Sequence, residues 1–172
     1  MKTALPITAV RRIVIALAST LLAASAAAEL PTQSERTATG NGVTVKTAGQ
    51  YETWTKTENS GWVPCPTENE SRIHDVAFGN GTFVIVGNEG ALMTARDGVS
   101  WTKRNARTEN RLRGVAFGNG AFVVVGYDGV IRTSTDAIKW RIQNSHTRER
   151  LQKVIFHDGI FVAVGWSGVI LT

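Results

Sequence analysis

The chain has 172 residues, a formal net charge of +5 and one cysteine. A single cysteine excludes an intramolecular disulfide framework. Three of the 19 basic residues, Lys2, Arg11 and Arg12, precede residue 29, which leaves 16 basic against 14 acidic groups beyond it; that balance lacks the clustered excess of positive charge that a nucleic-acid partner requires.

The first elements form an address. Lys2, Arg11 and Arg12 make a basic n-region, Ile13 to Leu22 an apolar core and Ala26-Ala27-Ala28 a small-residue cleavage site, which predicts a signal peptide over 1–28 cut after Ala28. The apolar run from Ile13 to Ala28 is 16 residues, short of the roughly 20 that a spanning helix needs. The expected product is secreted or periplasmic, with no stable membrane anchor after cleavage. Arg11-Arg12 leaves twin-arginine export open beside the Sec route. In an oxidising compartment the lone Cys65 reads as a buried, inert thiol.

Residues 29–42 are polar and rich in Thr, Ser and Gly without apolar periodicity, which predicts a linker. A repeat follows. Val76-Ala-Phe-Gly-Asn-Gly-Thr-Phe-Val-Ile-Val-Gly87, Val115-Ala-Phe-Gly-Asn-Gly-Ala-Phe-Val-Val-Val-Gly126 and Val154-Ile-Phe-His-Asp-Gly-Ile-Phe-Val-Ala-Val-Gly165 succeed one another at a spacing of 39 residues, the mark of a repeat architecture. In the second unit, Arg111 to Phe117 reads as a strand. Asn119-Gly120 suits a tight hairpin, and Phe122 to Val125 is a β-branched strand covered on both faces. Tyr127-Asp128-Gly129 turns into Val130 to Ser134, and Asp136 to Lys139 into Trp140 to Asn144. Four short strands per repeat make a propeller blade. The expected class is all-β, a β-propeller of about three blades, with units near 43–75 (partial), 76–114, 115–153 and 154–172 (incomplete).

In the first unit, Thr47 to Trp54 has the spacing of Thr94 to Trp101 and Thr133 to Trp140. That alignment implies an insertion of eight residues before Val76, holding Trp62, Pro64, Cys65 and Pro66, and a chain that starts near a third or fourth strand. Thr172 corresponds to Thr133, at the end of a third strand. Because propellers close with about four to eight blades, two outcomes are open: the front part of a longer protein, or a homodimer in which two copies exchange end strands.

Thr94-Ala-Arg-Asp97-Gly98-Val-Ser-Trp101 and Thr133-Ser-Thr-Asp136-Ala-Ile-Lys-Trp140 resemble the Asp-box, or bacterial neuraminidase repeat, Ser/Thr-x-x-Asp-Gly-x-Thr-Trp. With the Gly-Asn-Gly-x-Phe-Val-x-Val-Gly run ahead of it, the unit is similar to repeats of secreted bacterial propellers of the photosystem II assembly and stability factor type. Ala137 departs from the pattern at the Gly position. The resemblance implies that Thr94, Asp97, Gly98, Trp101, Thr133, Asp136 and Trp140 are structural. The Asp and hydroxyl groups accept backbone N–H bonds in the turn and the Trp packs between blades, on the face away from the ligand.

Sialidases share the box, so an Asp-box glycoside hydrolase is the alternative. Arg72-Ile73-His74 approaches their Arg-Ile-Pro motif, but Arg72, Arg111 and Arg150 occupy one repeat position, which explains the likeness. No catalytic carboxylate pair is legible. His74, His146 and His157 have no metal-ligand spacing and read as surface or turn residues. No cofactor is implied. The candidate binding face combines Arg72, Arg107, Arg111 and Arg150 with Tyr127, Trp166 and the inserted Trp62, because Arg and exposed aromatics make interaction hot spots. The expected function is a non-catalytic scaffold for a protein or glycan partner.

Overall fold

The computed structural model describes residues 36–48, 52–66 and 71–172, all within one compact unit, Gln33–Thr172. The leader expected over 1–28 lies outside the described residues. What is described is all-β, as the repeat predicts. Each sheet is a four-stranded antiparallel meander, except the last, which has three strands.

The first sheet holds β1 (Arg36–Gly40), β2 (Val43–Ala48), β3 (Glu52–Thr57) and β4 (Val63–Pro66). The second holds β5 (Ile73–Gly79), β6 (Thr82–Gly87), β7 (Leu92–Ala95) and β8 (Thr102–Lys103). The third holds β9 (Leu112–Gly118), β10 (Ala121–Gly126), β11 (Ile131–Ser134) and β12 (Arg141–Gln143). The fourth holds β13 (Leu151–His157), β14 (Ile160–Gly165) and β15 (Ile170–Leu171). These are the blades of a β-propeller, three of them complete. Their first strands pack side by side in the order β1, β5, β9, β13.

The hairpin joining strands one and two recurs at Asn41-Gly42, Asn80-Gly81, Asn119-Gly120 and Asp158-Gly159, each pair with positive φ at both residues. That is the type I′ geometry that matches strand twist. Asn41 is 39 residues before Asn80, so the first blade obeys the same period, and three sequence expectations are corrected. The polar stretch read as a linker contains β1 and its turn. Thr47 and Trp54 lie on β2 and β3 and are not box positions; the residues 39 before Thr94 and Trp101 are Thr55 and Trp62. The insertion of eight vanishes, because Trp62 to Pro66 is the fourth strand and its approach. The strand offered for exchange between copies is paired within its own sheet.

Between blades the chain buries alternate faces. Val84, Val86 and Leu92 of the second blade meet Leu112, Val115, Phe122 and Val124 of the third in one cluster. Val45 joins Ile73, Val76, Phe83 and Ile85 in a second, and Val123 and Val125 join Leu151, Val154 and Ala163 in a third. Glycines set the approach: any side chain at Gly40, Gly79 or Gly118 would enter the ring of Phe78, Phe117 or Phe156 respectively. Each ring therefore lies flat on the backbone of the preceding blade, where a substituent would cost several kcal/mol of overpacking, about 1–3 or more.

Candidate functional site

The two ends of each blade are built differently. At one end lie the box turns. Asp97 Oδ1 accepts the N–H groups of Val99 and Ser100 at 2.9 and 2.8 Å. Asp136 Oδ1 accepts those of Ile138 and Lys139, both at 2.8 Å, and the Ser134 hydroxyl at 2.9 Å. The Lys139 and Ile138 amides and the Ser134 hydroxyl hold the Asp136 carboxyl down at about 2. The Ser100 and Val99 amides lower Asp97 in the same way. Thr94 and Thr133 differ from the expectation: their hydroxyls receive side-chain donors from the end of strand four or the residue just after it, Arg104 Nε at 2.9 Å and Gln143 Nε2 at 2.8 Å, and not the turn amides.

The box tryptophans pack between blades. Trp140 is buried in the cluster of blades two and three, 6.4 Å from the Phe122 ring, and Trp101 packs against the cluster of blades one and two. Gly98 and Ala137 both have positive φ, so the box turn imposes a left-handed residue, which Ala137 adopts against its preference. A cleft of about 380 Å³ opens on this side, lined by Thr94, Arg96, Asp97, Arg104 and Asp136 among others. Its two carboxylates are committed to their own turns.

At the other end the turn between strands two and three meets the start of strand one. Asn88, Tyr127 and Trp166 donate their backbone N–H groups to the carbonyls of Arg72, Arg111 and Arg150 at 2.9, 2.9 and 3.0 Å. This repeated bond places each arginine beside the variable residue of its own turn. Arg111 and Arg150 lie 5.2 and 4.9 Å from the centre of the Tyr127 ring, and Arg150 lies 4.6 Å from that of Trp166. Arginine and aromatic alternate along the rim as cation–π pairs, and Trp166 is 53% exposed. Blade two has Asn88 in the aromatic position.

A row unforeseen from the sequence runs beneath this stack. In β5, β9 and β13 the register slips by one residue at His74, Arg113 and Gln152, and a bulge re-aims a side chain out of the ladder. Arg113 Nη1 donates to His74 Nδ1 at 3.0 Å and its Nε to Gln152 Oε1 at 3.2 Å. A guanidinium only donates, so His74 is the neutral Nε2–H tautomer, which donates to Asn88 Oδ1 at 2.7 Å. Burial, with Arg113, Arg72 and Arg111 adding to it against the Asn88 bond, pushes His74 down to about 4. His74 is thus a strand residue in a polar row, not a surface or turn one. Burial lowers Arg113 as well, reinforced by Arg111, Arg72 and Arg36 against Tyr127. Burial alone would raise Tyr127, but hydrogen bonds with Gln152 and Arg111 and the guanidinium charges bring it below its ordinary value. Neighbouring guanidinium groups contribute to all three shifts, after burial at His74 and Arg113 and after the hydrogen bonds at Tyr127. The signal that marks the row is its repeat position, since residues 74, 113 and 152 are 39 apart.

Asp75 answers part of that charge. It is 2% exposed, accepts Val115 N–H at 3.0 Å and Lys153 Nζ at 2.7 Å, and has Arg36 Nε at 3.9 Å. The structure therefore gathers Arg72, Arg111, Arg150, Tyr127 and Trp166 at one end of the blades and leaves Trp62 elsewhere. Arg107 lies at the same end as the arginines, on the connection between blades two and three that packs on the Asn88–Gly90 turn, and its carbonyl receives Arg132 Nη2 at 3.1 Å. Trp62 stands at the box position of blade one under Lys46 Nζ, 4.7 Å from the ring centre. Cys65 is buried, its Sγ 3.3 Å from Thr55 Oγ1. Among the described residues, no three His, Cys, Asp or Glu cluster as metal ligands would.

No protein-family model matches the chain, and no curated relative does. Solved structures do. The chain is similar to the computationally designed Ika4 protein, with 14% identity and a TM-score of 0.65 over 86% of this chain and 93% of that one. It is similar to the designed Ika8 protein, with 15% identity and a TM-score of 0.63 over 78% of this chain and 43% of that one. It is also similar to YCF48, solved bound to a D1 peptide, with 16% identity and a TM-score of 0.56 over 84% of this chain and 51% of that one. The chain thus spans about half of YCF48 and less than half of Ika8. At these identities the likeness is one of fold.

Proposed function

We propose that the protein is a secreted or periplasmic, non-catalytic β-propeller scaffold of the Asp-box type that binds an acidic, extended segment of a partner protein. The observation that carries the reading is the stack of Arg111, Tyr127, Arg150 and Trp166. Guanidinium groups held over aromatic rings by cation–π contact retain N–H donors for a carboxylate. The rings offer rigid apolar area at little entropic cost, and Arg72 and the Arg113 row extend the positive field along one rim. The peptide seen on YCF48 supports a peptide partner for this chain too. A glycosidase reading has less to stand on: Asp97 and Asp136 hold turns, and Asp75 is engaged by Lys153.

The test titrates a fluorescein-labelled acidic peptide and its lysine-substituted counterpart into the protein at low and high salt. Binding of the acidic peptide alone, weakening as salt rises and falling at least about tenfold in the Arg111→Ala, Arg150→Ala double variant, supports the reading. Equal binding of both peptides, or release of sugar from a glycoside panel, overturns it.

A further inference from the structure

The three junctions between blades share two devices, and the outer faces of the first and fourth blades lack both. The first device is the glycine seat: Gly40, Gly79 and Gly118 each receive the next blade's phenylalanine ring. The second is an amide tie. Asn41, Asn80 and Asn119 donate Nδ2 to the carbonyls of Gly81, Gly120 and Gly159 in the next blade, at 3.4, 3.3 and 3.0 Å. On the fourth blade the corresponding residues are His157 and Asp158. Both are exposed, and they pair with each other at 3.3 Å. A side chain fills the seat, and a carboxylate cannot donate to a carbonyl. Residue 157 therefore offers no bare backbone on which a phenylalanine ring could lie flat.

The outer face of blade one is altered in the complementary sense. At the positions of Phe78, Phe117 and Phe156 it has Thr39; at those of Phe83, Phe122 and Phe161 it has Thr44; at those of Ile85, Val124 and Ala163 it has Lys46. The two phenylalanine positions have become small on blade one, whereas the glycine position has become large on blade four. The cations Lys46 and Lys56 share the face with Thr44 and Trp54 through direct cross-strand pairing, opposite in charge to Asp158. Blade four presents Ile155, Val162, Val164 and Ile170, the counterparts of Ala77, Val84, Val86 and Leu92. Those of blade two lie in a covered junction, whereas Ile170 is 45% exposed.

The axis places the two faces near each other. Lys153 of β13 reaches Asp75 of β5, two blades away, because Gly114 between them has no side chain; Arg36 of β1 approaches the same carboxylate. First strands whose side chains meet at one carboxylate curve tightly, although no packing comparable to that between neighbours joins β13 to β1.

We infer that the outer face of blade four is an interaction surface fitted to the outer face of blade one of the same chain, and that the two dock to close a four-bladed ring around Asp75. The junction so formed has no ring-on-glycine seat and no amide tie, and it is the seam at which the ring opens first.

Thr39 and His157 are both exposed, so cysteines at these places test the seam without disturbing the core. In a Cys65→Ser background, the Thr39→Cys, His157→Cys protein is treated with a short bismaleimide at micromolar concentration. The expected product is a monomer cross-linked within one chain, exceeding cross-linked dimer by at least about tenfold, as an intramolecular effective concentration dictates. Cross-linking between copies overturns the inference. So does the absence of cross-linking when a monofunctional maleimide labels both thiols. Light scattering on the unmodified protein gives a second reading: a monomer at every concentration agrees with closure within the chain, and a concentration-dependent dimer that Val162→Asp abolishes overturns it.

Discussion

The two ends of the blades use the same strands for opposite purposes. At the box end the carboxylates are spent: Asp97 and Asp136 each satisfy backbone donors of their own turns, and the rings of Trp140, buried, and Trp101, partly buried, pack between blades. Trp101 Nε1 and Trp140 Nε1 even lack a hydrogen-bond partner, a cost the packing must outweigh. At the arginine end the backbone is as regular, with one N–H···O bond repeated in three blades, but the side chains it displays vary from Asn88 to Tyr127 to Trp166. Regular backbone with varied side chains is how a repeat array carries recognition; regular side chains with saturated partners are how it carries stability.

The largest effect that would break this division comes from the box end. Trp140→Ala removes a buried indole from the cluster between blades two and three and is expected to cost roughly 3–5 kcal/mol, measured by urea unfolding. Below its lowered midpoint the variant should bind the acidic peptide as the parent does. A loss of affinity in the folded variant would show that the two ends are not separable.

From the arginine end the expected pattern reverses. Tyr127→Asn gives blade three the residue that blade two carries at Asn88, keeping the turn and its N–H bond to the Arg111 carbonyl. Tyr127 is half-buried and its ring carries the Arg111 and Arg150 contacts, so stability should fall by no more than about 1–2 kcal/mol. Peptide affinity should drop about tenfold, the size of a hot-spot residue. Affinity unchanged by this variant would assign recognition to the guanidinium charges alone.

The contrast also explains what was legible in the sequence. Turns and strands were, because Asn-Gly pairs, β-branched runs and box aspartates act locally and recur with one period. Blade one was misread because its markers are degraded: Glu58 stands where Asp97 and Asp136 do, and the Thr47 to Trp54 spacing imitates a box by chance. Carrying the period back from Asn80 to Asn41 recovers it. The arginine–aromatic contacts were half legible, since Arg72, Arg111 and Arg150 share a repeat position, but the pairing of Arg150 with both Tyr127 and Trp166 depends on how two blades meet. The His74, Arg113, Gln152 row stayed hidden because a bulge has no mark in side-chain alternation.

A smaller prediction sharpens the account of degradation in blade one. Thr47 takes the position of Val86 and Val125 in the face turned to the next blade. It is 1% exposed, and its hydroxyl has no partner. Thr47→Val removes an orphaned polar group and supplies the methyl that the other blades use, so it should raise stability by about 1 kcal/mol. A destabilised variant would mean that the hydroxyl is satisfied by water in solution.

The smallest expected effect tests the polar row by pH. His74 titrates at about 4 in the fold and near 6.5 in the unfolded chain, so between those values the unfolded state holds a proton that the native state does not. Stability from this group is therefore complete above pH 6.5 and declines as the pH falls towards 4. Below that the native imidazole also protonates and the decline ends. Solvent around the half-buried ring keeps the total at about 1 kcal/mol or less. Protonation turns Nδ1 from acceptor to donor, so Arg113 must leave it, and the arginine rim should loosen over the same range. Asp136, held at about 2, adds its own loss only below pH 4, which separates the ends on one titration. His74→Gln should abolish the stability slope between pH 6.5 and 4 and leave the steeper loss below it. A slope that survives the substitution would move the titration to another group and detach the row from the arginine rim.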